Sequence, residues 1–287
     1  MRRRLTWLDV FTDVPLAGNQ LAVVHDADGL DDDTMLAFAR ETQLSETTFV
    51  QSPTAPGADY RNRIWAMPGE LPFAGHPSLG TAVAVARASG REKARYVQQT
   101  HAGLQPVEVR LDGDRARASM LQEPPDFGAR PSPADVLAAA GLPVSAADPQ
   151  LEPQVVSTGF AHLMVPLKDR AALAAAAPQR DAIRALLEPI GAMVLYLADL
   201  DVDHGAARAR GFFLDPRGVT EDPGTGSAAG PLLAYLRDRD PATERLVVHQ
   251  GVEMGRPSRI DCEWADDRPR VSGDVVVIAD GEVRLGG

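Results

Sequence analysis

The chain has 287 residues with a net charge of −11; 44% are apolar and 24% charged. That length supports a sizeable core and excludes a small scaffold held by disulfides. One cysteine, Cys262, excludes an intramolecular disulfide, a Cys-x-x-Cys pair, a Cys-rich zinc site and any two-thiol mechanism, and the acidic balance argues against nucleic acid as a partner.

Met1 to Arg4 form a basic stub, but Asp9 interrupts the apolar run that a secretion signal needs, so no export signal is expected. No apolar stretch approaches the roughly 18 residues of a membrane span, so no membrane partner is expected. A reducing, cytoplasmic setting fits the single thiol. Leu5 to Val10 and Leu21 to Val24 are predicted strands around the turn residues Pro15 to Asn19. Asp31 to Thr42 is a predicted helix with an acidic start and an apolar stripe of Met35, Leu36, Phe38 and Ala39. Glu46 to Gln51 and Tyr60 to Met67 are predicted strands, and Thr81 to Ala88 is a helix of small residues.

Strands over 96–99, 105–111 and 115–121 make a predicted meander. The proline-rich stretch that begins at Glu123 is the natural linker, 123–131. Helices are predicted over 133–140, 169–177, 181–187 and 227–237. Strands are predicted over 155–157, 162–166, 192–198, 211–214, 245–250, 258–263 and 270–278. Strands and helices mix without steady βαβ alternation, which is an α+β pattern.

Two matches recur near half the chain length. Ala74-Gly75-His76-Pro77-Ser78-Leu79-Gly80 and Thr220 to Gly226 each place a polar residue and a proline ahead of a small-residue helix, with His76 aligned on Asp222. Gly18 to Val23 matches Gly159 to Val165. Together they predict a duplicated unit: residues 1–122, joined by the final strand 270–287, and residues 132–269.

Chemistry is expected at the two helix starts. First-turn amides have no partner within the helix and carry partial positive charge, so they favour anions. The alternative is that the glycines there only allow tight packing. Gly224 to Gly230 brushes a dinucleotide fingerprint but lacks the preceding strand and the acidic residue of a βαβ unit. Glu46 beside apolar strand residues is either a general acid/base with a raised pKa or a solvated strand-end carboxylate. His76 at a helix start is expected to be neutral, and His162 to be a hydrogen-bonding core residue. The histidines, with the acidic residues and Cys262, show no metal-ligand spacing, and no nucleophile elbow or Walker loop is present.

Asp9-Val10-Phe11-Thr12, Gly18 to Val24, Ser45-Glu46-Thr47-Thr48-Phe49, Leu71 to Gly80 and Glu221 to Ala228 together resemble the PhzF family of phenazine-biosynthesis isomerases. The resemblance implies a diaminopimelate-epimerase-like fold. That fold has two pseudo-symmetric halves, each a curved, mostly antiparallel sheet wrapped around a central helix, with the active site between them. It implies a homodimer, a small anionic substrate and no cofactor. Glu46 is then the general acid/base, His76 and Asp222 assist proton movement, and Gly75, Ser78, Gly224, Thr225, Gly226 and Ser227 hold the substrate. The implied reaction moves a proton and a double bond in a carboxylate-bearing metabolite. Alternatives on the same fold are a racemase or epimerase of an amino or hydroxy acid, and a non-catalytic small-molecule binder. Gln20, Met67 and Gly224 depart from the family's usual residues, and Met67 is placed to reshape the pocket.

Overall fold

The computed structural model describes residues 1–286, a mixed α/β chain that divides into two compact units. The first comprises Met1–Met120 with Ser272–Gly287, and the second Leu121–Val271. The first unit is built from β1 (Arg2–Val10), β2 (Asn19–Val24), α1 (Asp32–Thr42), β3 (Thr47–Gln51), β4 (Tyr60–Ala66), β5 (Gly69–Leu71), α2 (Gly75–Ser89), β6 (Lys93–Thr100), β7 (Gly103–Asp112) and β8 (Arg115–Leu121). The second holds β9 (Asp126–Phe127), α3 (Pro133–Ala139), β10 (Gln154–Ser157), β11 (Ala161–Leu167), α4 (Arg170–Ala175), α5 (Arg180–Ile190), β12 (Val194–Asp201), β13 (Ala206–Asp215), β14 (Gly218–Asp222), α6 (Gly226–Arg239), β15 (Arg245–Gln250) and β16 (Ser258–Ala265). β17 (Arg268–Arg284) starts in the second unit and ends in the first.

In the first unit the strands close on themselves. β1 pairs with β2, β2 with β3, β3 with β4, β4 with β6, β6 with β7 and β7 with β8. β8 then pairs with β17, and β17 with β1, which completes an eight-stranded barrel. The β2–β3 and β4–β6 pairs are parallel, and the others with a resolved register are antiparallel. α2 packs inside against β1, β2, β3, β4, β6 and β7. Such a helix must be apolar or small all round, and α2 is buried from Gly75 to Ala84. At Gly80 a Cβ would come within 2.5 Å of Leu21 and 2.9 Å of Val10, so the helix needs glycine to sit this close to the sheet. Outside the barrel, α1 buries Met35 and Ala39 with Val24, Phe49 and Trp65.

The second unit repeats this order of pairings. β10 pairs with β11, β11 with β12 in parallel, β12 with β13, β13 with β15 in parallel, and β15 with β16. α6 packs against β10, β11, β15 and β16. α3, α4 and α5 cover the outer face through Val136, Leu173, Ile183 and Leu187, which meet Leu163, Leu195 and Leu197. The proline-rich stretch, expected as a linker, belongs to this sheet. β9 pairs with Val156 and Ser157, and Gly128 and Ala129 exchange backbone bonds with Val155.

One further device occurs in each unit. Arg63 on β4 donates two hydrogen bonds to Glu70 on β5 and stacks 5.3 Å over Trp65. Arg210 on β13 does the same to Glu221 on β14 and lies 4.8 Å over Phe212. Each clamp fixes the short strand that leads into the central helix. Among the described residues, no helix is long and apolar enough to cross a membrane.

Candidate active site

Of the two central helices, α6 starts within one residue of the sequence expectation and α2 does not. α2 begins at Gly75, six residues ahead of Thr81, so His76 and Pro77 lie in its first turn. Proline is tolerated there because first-turn amides lack helical partners anyway. Asp222, by contrast, ends β14, three residues before the Thr225 cap of α6. The motif match that aligned His76 with Asp222 is therefore out of register. Counted from the helix starts, His76 corresponds to Ser227, and Asp222 to Leu71 at the end of β5.

Neither helix start has a side-chain cap or an acidic residue in its first turn. Asp31 caps α1 and Asp169 caps α4 in the ordinary way. The carboxylates beside these helix starts come from outside the helices: Glu46 near His76 of α2, and Asp222 bonded to the Thr225 cap of α6.

In the first unit, Asn19 at the start of β2 donates from Nδ2 to His76 Nδ1 at 3.1 Å. That bond places the ring proton on Nε2, which lies 3.6 Å from Glu46 Oε2. The spacing is longer than a hydrogen bond and leaves the pair adjustable. Glu46, the expected first residue of this strand, sits one residue ahead of β3, between α1 and β3, with its side chain 17% exposed. Burial pulls the His76 pKa down to about 3, with the Gln20 backbone offsetting part of the shift. His76 is thus a neutral donor beside a carboxylate at neutral pH. Ser78, expected to bind substrate, is fully buried, and its Oγ donates to the Ala74 carbonyl at 2.7 Å. Its hydroxyl is committed to the helix turn.

In the second unit, Thr225 Oγ1 donates to Asp222 Oδ2 at 2.6 Å. Gln250 holds the turn from three sides. It donates to the Asp222 carbonyl at 2.7 Å and to Thr225 Oγ1 at 2.8 Å, and accepts from the Thr225 amide at 3.1 Å. Tyr196 donates to the same Gln250 Oε1 at 2.9 Å. Gly211 is needed beneath this turn, because a Cβ there would lie 2.8 Å from Thr225 Oγ1. Gly226 and Ser227 are the first two residues of α6, and Gly224 lies in the turn ahead of it. Gly230, which completed the dinucleotide-like pattern, faces the Gln122 side chain where a Cβ would collide. That glycine is explained by packing.

Sequence reasoning missed Gln250, Tyr196 and Gln122. The alternation Leu246, Val248, Gln250 on β15 carries a usable signal, since it places a polar residue in an inward series. Asn19 stood within a quoted motif but was given no role.

Comparisons with known proteins bear on this arrangement. The PhzC-PhzF family, described as phenazine biosynthesis-like protein, matches residues 8–281. A trans-2,3-dihydro-3-hydroxyanthranilate isomerase of Pseudomonas aeruginosa is 39% identical over 294 residues, 98% of this chain and 99% of that protein. The structure of a predicted epimerase from Pseudomonas aeruginosa superposes with a TM-score of 0.86 at 37% identity, covering 98% of this chain and 99% of the other. A PhzF-family protein of Bacillus anthracis gives a TM-score of 0.85 at 26% identity, covering 99% of both chains.

Proposed function

Because the chain belongs to the PhzC-PhzF family and its relatives are isomerases, we propose that it moves a proton and a double bond in a small carboxylate-bearing metabolite without a cofactor. The observation that carries this reading is the buried Glu46–His76 pair, oriented by Asn19. Glu46 takes a proton from a carbon next to a double bond. The C–H electrons form a new double bond, and the old π pair takes the proton back from Glu46 at another carbon. His76, neutral and with Nε2–H toward Glu46, donates to negative charge as it develops without adding a competing cation. Asp222, its carboxylate fixed by Thr225, assists proton movement. The uncapped starts of α2 at Gly75 and of α6 at Gly226 and Ser227 bind substrate anions.

The relative's named substrate, trans-2,3-dihydro-3-hydroxyanthranilate, is the first compound to test. Reaction in heavy water should place solvent deuterium in the product. Glu46→Gln should fold normally and lose at least about 100-fold in turnover, the usual scale of general acid/base catalysis. Full activity in that variant would sink the assignment.

A second reading, an epimerase, is motivated by the epimerase named among the similar structures. Deuterium uptake at one stereocentre with no double-bond shift would favour it, and chiral analysis of the product reads this directly. The proposal also includes a homodimer in a reducing, cytoplasmic setting. Light scattering on the purified chain tests the dimer.

A further inference from the structure

The inward position at the start of β11 carries a second histidine that the mechanism above does not use. His162 is 2% exposed, and its Nε2 lies 3.2 Å from Ser227 Oγ, on the second residue of α6. In the first unit the inward residue at the start of β2 is Asn19, and it bonds the second residue of α2, His76. In each unit, then, a polar residue near the start of this strand bonds the second residue of the central helix, with different chemistry.

Three observations fix how the His162 ring bonds. Nδ1 is buried with no hydrogen-bond partner among the described residues, and a buried N–H without an acceptor is rare. The Ser227 backbone favours the protonated ring, as a carbonyl accepting from a ring N–H does. That carbonyl also lacks its helical donor, because the residue four positions on is Pro231. The ring proton therefore sits on Nε2, toward Ser227 Oγ. With Oγ accepting from the ring, the Ser227 hydroxyl keeps its own proton to give away. Burial lowers the His162 pKa to about 4, so the ring stays a neutral donor at the positive end of α6.

We propose that His162 is a positioning residue for substrate binding: its Nε2–H holds Ser227 so that the serine hydroxyl donates to a substrate carboxylate. This rests on the reading of Ser227 as a substrate-binding residue, and the experiment separates the two.

Imidazole ¹⁵N NMR of the full chain at neutral pH reads the tautomer without any substrate. The expected result is a protonated Nε2 and a bare Nδ1, with the Nε2 resonance moving in Ser227→Ala. A protonated Nδ1, or an Nε2 resonance unmoved by Ser227→Ala, overturns the proposal. Kinetics on trans-2,3-dihydro-3-hydroxyanthranilate give the second arm. His162→Phe should raise KM about tenfold and change kcat less than about twofold, the loss of roughly one hydrogen bond. His162→Gln, whose amide can donate, should recover most of that. In a Ser227→Ala background, His162→Phe should change KM no further. An undiminished His162→Phe effect in that background overturns the proposal. If Ser227→Ala leaves KM unchanged, the substrate-binding reading of Ser227 fails and the proposal fails with it. Circular dichroism melts of each variant separate these effects from unfolding.

Discussion

Glu221→Gln is expected to destabilise the chain by about 3 kcal/mol. Arg210 and Glu221 are 10% and 16% exposed, and two parallel bonds of 2.9 and 2.8 Å join them. Removing one partner of a buried ion pair costs roughly 3–5 kcal/mol, because the other charge stays buried and uncompensated. The lower figure applies because Arg210 Nη1 keeps the carbonyls of Leu173 and Ala176, each at 3.0 Å. The amide that replaces the carboxylate accepts one guanidinium bond and turns an N–H toward the other. Arg2–Glu282 is the internal control, a pair 63% and 57% exposed. Glu282→Gln should cost less than about 1 kcal/mol. Urea unfolding followed by far-ultraviolet circular dichroism, with both variants in parallel, gives the comparison. Replacing both partners, Arg210→Met with Glu221→Leu, should recover most of the loss, since no charge is then left unpaired. A Glu221→Gln cost as small as that of Glu282→Gln would refute the view that this clamp is a buried electrostatic element.

Burial holds His76 down to about 3 and His162 to about 4, against an ordinary value of 6.5. The unfolded chain takes up these protons below about pH 6.5 and the folded chain does not, so stability should be level above about pH 7 and fall as pH drops below about 6.5. Urea midpoints measured across that range check this, and His162→Gln should flatten the fall. Gly230→Ala should cost about 1–3 kcal/mol, because its methyl would overlap Gln122, which Thr158 and the Gly226 carbonyl hold in place. Thermal melts should show partial recovery when Gln122→Ala is added. Cys262 is 3% exposed, and burial pushes its thiol pKa up. A thiol reagent should leave it unmodified in the native protein and label it in urea; rapid native labelling would contradict the burial.

Period-two alternation and turn residues were enough to place most strands. The expected segment 245–250 matches β15, and 115–121 matches β8. Motif residues such as Glu46 and His76 stood out because their neighbours are apolar or small, which is a local property. Helix starts were less legible. Gly75-His76-Pro77 has the composition of a turn, and only packing inside the barrel makes it the first turn of α2. The same limit misaligned His76 with Asp222, since a proline near a helix start has no fixed offset from the helix itself.

What the sequence determines by itself is local order, the excluded chemistries and the family resemblance carried by short motifs. Pairing between elements decides the rest. Arg210 finds Glu221 and Arg63 finds Glu70 only when two strands pair as a hairpin. Gln250 reaches Asp222 and Thr225 across 28 and 25 positions. His162 reaches the Ser227 hydroxyl across 65 positions. A side chain's identity fixes what it can donate or accept. Only the fold decides which partner it meets and whether water is excluded there, and those two conditions turn a polar residue into part of a site.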